Sequence, residues 1–137
     1  MSQFNPAALR DLAARYTAAW CSQNAASVAE FFSPGGSLTI NDGTPSVGRK
    51  AITAVAQGFM DAFPDLVVVM DGVHESAGRV VYEWTLSGTN TGPGGSGRRV
   101  RISGSERWRL SGDGLISESL GSFDDKDYAR QLGQAAD

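Results

Sequence analysis

The sequence predicts an α+β fold in a single domain spanning residues 1–137. Apolar residues recur at helical spacing from Leu9 to Phe63, and the pattern then changes to strict alternation, the period of strands. Short Gly- and Ser-containing segments separate the alternating runs, as hairpin turns do, so the strands should be mostly antiparallel. Helices followed by a long meander is the α+β signature.

The first helix is expected from Pro6 to Ser22, with Asn5 as N-cap and Pro6 at the first helical position. Leu9, Leu12, Ala13, Tyr16 and Trp20 form its one apolar stripe. A second helix, Ala25 to Phe32, should stop at the breaker cluster Ser33-Pro34-Gly35-Gly36. A small strand follows, Ser37 to Asn41, before the Asp42-Gly43 turn. The third helix, Gly48 to Ala62, carries Ile52, Val55, Ala56, Phe59 and Phe63 on its stripe, and Pro64-Asp65 ends it. Four strands are expected next, at Leu66 to His74, Arg79 to Asn90, Arg99 to Leu110 and Leu115 to Phe123. A last helix, Asp125 to Leu132, precedes a frayed tail over Gly133 to Asp137.

The strand Arg99 to Leu110 holds the main anomaly. Period two puts Val100, Ile102, Gly104, Glu106, Trp108 and Leu110 on one face, apolar except for Glu106. A carboxylate aimed into an apolar layer must be protonated, paired or put to use. Arg99, Arg101, Arg107 and Arg109 share the other face, read as a solvated or dimer-facing surface paired with Glu83 and Asp71. The same period puts Tyr82, Trp84, Leu86, Gly88 and Asn90 together, and Ile116, Glu118, Leu120, Ser122 and Asp124 together. Closed over three helices, such a sheet brings Glu106, Asn90, Glu118 and Asp124 towards Tyr16 and Trp20, a polar cluster in an aromatic-lined pocket.

Composition narrows the function classes. A net charge of −3 gives no electrostatic footprint for nucleic acid or an anionic membrane. Cys21 is the one cysteine and His74 the one histidine, so neither a disulfide framework nor a metal site of recognisable spacing is expected. The N-terminal stretch carries charges where a signal peptide would be apolar, and no run approaches the roughly 20 residues that span a bilayer. The expectation is a cytoplasmic protein without a cofactor, whose partner is a small hydrophobic molecule.

The order of elements resembles the nuclear transport factor 2-like superfamily. Ala62-Phe63-Pro64-Asp65-Leu66, the run from Trp84 to Pro93, and Asp124 ahead of Gln131-Leu132-Gly133 resemble its SnoaL-like polyketide cyclase family. The resemblance implies a cone-shaped, curved, mostly antiparallel sheet wrapped around the three N-terminal helices, the cystatin-like α+β barrel, and commonly a homodimer. It implies cofactor-free acid/base chemistry on a hydrophobic carbonyl compound, with Asp124 as general acid/base. Two positions depart from the pattern: Asn90 stands where relatives commonly carry His, and Leu120 where they often carry Trp. The segment around Tyr16 is also similar to the helix that carries the oxyanion-hole tyrosine of ketosteroid isomerases. By that similarity Asp42 falls near their base and Glu106 at their protonated acid, a constellation that is a worked example of general enzymology. Limonene epoxide hydrolase, another cousin, needs Arg and Asp where this chain has Trp84 and Leu86, which excludes that activity.

Each candidate has a plainer reading. Glu106 could be a strand carboxylate paired with arginine, Asp124 an N-cap, Tyr16 a core aromatic and Asp42 an ordinary turn residue. Trp20, Phe59, Phe63, Trp84 and Trp108 are core or cavity wall, with Asn90, Glu118 and Leu120 the remaining candidates for contact with a ligand. The competing function is a non-catalytic ligand-binding or dimerisation module of the same fold.

Overall fold

Asn5 caps the first helix in the computed structural model, which describes residues 5–133. Its side chain accepts hydrogen bonds from the backbone N–H groups of Ala7 and Ala8, at 2.8 and 3.3 Å, and so satisfies two donors that every helix start leaves open. Helix α1 (Pro6–Cys21) buries Leu9, Ala13, Tyr16, Ala19 and Trp20. Helix α2 (Ala25–Ala29) is shorter than its pattern suggests, because Phe32 opens strand β1 (Phe32–Ile40). The breaker cluster lies inside that strand. Phe32 pairs with Ile116, the register slips across Ser33 to Gly36, and pairing resumes at Ser37 with Glu118. A bulge tolerates Pro and Gly that a regular ladder would reject.

Strand β2 (Ser46–Val47), too short to read from sequence, pairs antiparallel with β1. Helix α3 (Arg49–Ala62) starts after Gly48, whose φ is +91°, and buries Ile52, Ala56 and Met60. Then come β3 (Val67–Ser76), β4 (Arg79–Thr89), β5 (Arg99–Leu110), β6 (Ile116–Phe123) and α4 (Asp125–Gln131). The strand order β2-β1-β6-β5-β4-β3 gives one curled, unclosed sheet, antiparallel except for the β1–β6 pair. Its inner face packs against the helices through Phe32, Val80, Tyr82, Val100, Trp108 and Ile116.

A two-residue loop joins β3 to β4. Ala77 and Gly78 sit at φ +53° and +78°, the left-handed conformation that matches the twist of a tight hairpin. At the other end of the sheet, the β5–β6 pairing ends at Gly104 opposite Phe123. Beyond that point Gln131 of α4 serves Arg101 as a strand would, with Oε1 2.6 Å from the Arg101 N–H nitrogen and Nε2 2.9 Å from its carbonyl oxygen.

The outer face differs in detail from the expected arginine pairing. Arg99 lies 3.8 Å from Asp65, while Glu83 is 4.0 Å from His74 and Asp71 accepts a hydrogen bond from Thr85. Among the described residues no helix is long and apolar enough to cross a membrane, and no group of three metal-ligating side chains assembles. Of the expected frayed tail, residues 134–137 lie outside the described residues.

Candidate functional site

Glu106 sits on the inner face of β5, opposite Tyr82 of β4 and Gly121 of β6, and is only 7 % exposed. Three elements supply its partners. Trp108, two residues further along the strand, donates its indole N–H to Oε1 at 3.0 Å. The Tyr16 hydroxyl of α1 lies 3.0 Å from Oε1 and 3.2 Å from Oε2, and Ser119 Oγ of β6 donates to Oε1 at 2.7 Å.

Ser119 reaches the carboxyl because β6 contains a bulge. Leu110 pairs with Ile116 but Arg109 with Glu118, which leaves Ser117 as an extra residue. From there on the inward positions are odd-numbered: Ser119, Gly121 and Phe123. Strict alternation predicted the reverse, so Glu118 and Leu120 must be corrected. Glu118 is on the outer face, accepting a hydrogen bond from Arg79 at 2.6 Å, and Leu120 is 38 % exposed.

Burial dominates the electrostatics of the cluster. Desolvation raises the Glu106 carboxyl above its usual range, and hydrogen bonds from Trp108, Ser119 and Tyr16 pull it partly back. Tyr16 is pushed well above its ordinary value by burial and then by the Glu106 charge, although contact with the Trp20 indole works the other way. Tyr82 is raised chiefly by burial. Its hydroxyl lies 2.5 Å from Thr17 Oγ1, which donates to the Ala13 carbonyl and so receives the Tyr82 proton. The rings lock the cluster: Tyr82 stacks on Trp108 at 5.0 Å, and Tyr16 meets Trp108 edge-on at 5.1 Å.

Glu106 is the one carboxyl among the described residues that line the aromatic cavity beside this cluster. Trp20, Phe59, Tyr82, Trp84 and Phe123 supply aromatic walls, with aliphatic side chains between them. About 60 Å³ is open to the centre of a water-sized sphere, several times what one water needs. Gly104 gives the Trp84 indole its place: a Cβ there would lie 2.7 Å from Trp84 Cζ2 and 2.3 Å from the Ser122 carbonyl oxygen. The Trp84 Nε1 is buried without a hydrogen-bond partner. Exposed Ser122, with half-buried Ile40 and Phe59, marks the open side of the cavity.

The structure thus brings together Tyr16, Trp20, Phe59, Trp84, Glu106 and Trp108. The other candidates lie elsewhere. Asp124 is exposed and caps α4, accepting from the Asp127 N–H at 3.0 Å; the helix start claims its carboxylate. Asp42 is exposed in the turn after β1 at φ +61° and does not line the cavity. Asn90 clips the loop that follows β4, donating to the Ala62 carbonyl and accepting from the Ser96 N–H. Phe63 is fully buried beside Tyr128, outside the lining. Ser119 and Gly121 escaped the sequence reading because nothing short of the β5–β6 register reveals the bulge.

A family model described as a SnoaL-like domain matches residues 13–119. Among solved structures, the chain is similar to TsrD of Streptomyces laurentii at 21% identity, TM-score 0.82, with 97% of this chain and 100% of that one covered. A Catenulispora acidiphila protein with a ketosteroid isomerase-like fold, in complex with trimethylamine, aligns at 16% identity and TM-score 0.80 over 91% and 94% of the two chains. A Jannaschia protein assigned as a SnoaL-like polyketide cyclase aligns at 18% identity and TM-score 0.74 over 99% and 100%. Among curated protein sequences none matches.

Proposed function

The chain belongs to the SnoaL-like domain family, and from that premise we propose that its cavity receives a small hydrophobic carbonyl compound on which Glu106 performs cofactor-free proton transfer of the isomerase or cyclase type. One observation carries the reading: a buried carboxyl, raised by desolvation and held by three donors, in an aromatic-walled cavity. Burial favours its neutral form, whereas the donors favour the charged form, and burial prevails. The neutral acid gives its proton to the carbonyl oxygen while a water molecule from the open side of the cavity takes the proton of the adjacent carbon, so that the enol, hydronium and the Glu106 carboxylate form; the hydronium proton then restores the acid. Tyr16, Trp108 and Ser119 stabilise the carboxylate left behind until the proton returns. Val67 and Val69, exposed on the outer face, offer the expected second copy its surface.

A second reading, a non-catalytic binding module, is favoured by a specific observation. Removal of a carbon-bound proton needs a base, and neither Asp42 nor Asp124 lines the cavity. One experiment separates the two. Cyclohexanone is incubated with the protein in D2O, exchange at the carbons beside the carbonyl is followed by NMR, and binding is compared with methylcyclohexane. Accelerated exchange that Glu106→Gln abolishes supports catalysis. A preference for the ketone without exchange assigns the binding module. Neither exchange nor preference overturns both.

A further inference from the structure

We propose that Ser119 and Trp108 are positioning residues: together they hold Oε1 of Glu106 as a fixed acceptor, keep the exchangeable proton on Oε2, and make the cavity select ligands that present a hydrogen-bond acceptor. This rests on the reading of Glu106 as the ligand-contacting group.

The two carboxyl oxygens are not equivalent. Oε1 takes the Ser119 hydroxyl at 2.7 Å, the Trp108 indole N–H at 3.0 Å and the shorter arm of Tyr16 at 3.0 Å. A carboxyl oxygen has two lone pairs, so three donors leave no room for a proton there. Oε2 has only the longer Tyr16 arm, at 3.2 Å. In the acid form the proton therefore sits on Oε2, and the carboxyl acts towards a ligand as a single directional donor. Glu106 and Gly121 both line the cavity, and a Cβ at Gly121 would meet Glu106 Cγ at 3.7 Å, an ordinary contact.

Both positioning groups are themselves fixed. Ser119 and Trp108 are 0 % exposed, the first placed by the β6 bulge and the second clamped between Tyr82 and Tyr16. Among the described residues, the titratable groups facing Glu106 are Tyr16 from α1 and Tyr82 from β4. Both are raised above the ordinary tyrosine value, so neither titrates with the acid. From β6 come Ser119 and Gly121, which carry no charge.

The test labels glutamate with 13C at the carboxyl carbon and follows the Glu106 signal against pH in the intact protein. Ser119→Ala and Trp108→Phe each remove one donor to the charged form and keep the packing close. Each should tighten proton binding about tenfold, which moves the midpoint upward. Ser119→Thr, with its hydroxyl restored, should return the midpoint, and Ser119→Cys does so in part if threonine overfills the site. Cyclohexanone and methylcyclohexane serve as probes: Glu106→Gln should retain the preference for the ketone, because the same three donors orient the amide oxygen to their side and leave its NH2 for the ligand. An unmoved midpoint in both donor variants overturns the proposal, as does equal weakening of the two probes by Ser119→Ala. If the wild type shows neither exchange nor a ketone preference, the functional reading falls, whereas the midpoints still judge the positioning.

Discussion

Glu106→Gln should change how stability depends on pH, with a sign that the burial of the side chain dictates. A carboxyl whose folded value lies above its unfolded one binds protons better in the native state. The native state is then favoured at low pH, and stability falls as pH rises from the unfolded value, near 4.5, to the raised folded value. Each pH unit within that window removes about 1.4 kcal/mol. Above the window the loss is complete and the curve levels. Asp65, Asp113, Glu118 and Asp127 are lowered in the fold and work in the opposite direction, but they are common to both proteins and cancel in the difference. Glutamine stays neutral throughout and keeps an oxygen for Tyr16, Trp108 and Ser119. Urea unfolding of both proteins at closely spaced pH values from 4.5 upward reads the effect directly. With a typical urea slope of about 1–3 kcal/mol per molar, one pH unit within the window should lower the wild-type midpoint by about 0.5–1.4 M relative to the variant. A difference that is flat over the whole range, or that moves in favour of the wild type as pH rises, would refute the account of Glu106 as an acid whose neutral form burial favours.

Three further outcomes follow from single positions. Gly104→Ala should destabilise by about 1–3 kcal/mol in chemical denaturation and weaken cyclohexanone binding, because its Cβ meets the Ser122 carbonyl and drives the Trp84 ring into the cavity. Ala77→Gly should stabilise by about 1 kcal/mol, since φ +53° strains an L-residue but not glycine; an unfolding midpoint that drops instead contradicts the hairpin geometry. Asp124→Ala should remove the α4 cap for about 1 kcal/mol and leave cyclohexanone binding intact, and a loss of binding would restore Asp124 to the site.

The contrast between β5 and β6 explains what could be read from the sequence. Strand β5 runs over the expected Arg99–Leu110, because its alternation is unbroken and its neighbours on both sides keep register past Glu106. Glu106 stood out for the same reason: one carboxylate on an otherwise apolar face is a local signal. In β6 the alternation is just as clear to the eye but wrong beyond Ser117, since the bulge exists only in relation to Leu110. That error exchanged Ser119 for Glu118 and Leu120. The early start of β1 at Phe32 was hidden similarly, because its partner Ile116 lies 84 residues away and local breakers argued for a loop. Asp124 was visible in both its roles, and the helix start took it.

The extra residue in β6 also has a genetic meaning. Ser117 is the one residue of the strand without a partner on β5, so removing its codon would join Ile116 to Glu118 in a regular ladder and leave Ser119 and Gly121 facing Glu106. An in-frame deletion there straightens the strand without changing which side chains line the cavity. In descendants of such a fold, a bulge at this point absorbs a codon gained or lost, and chains of different length can present the same wall to a ligand.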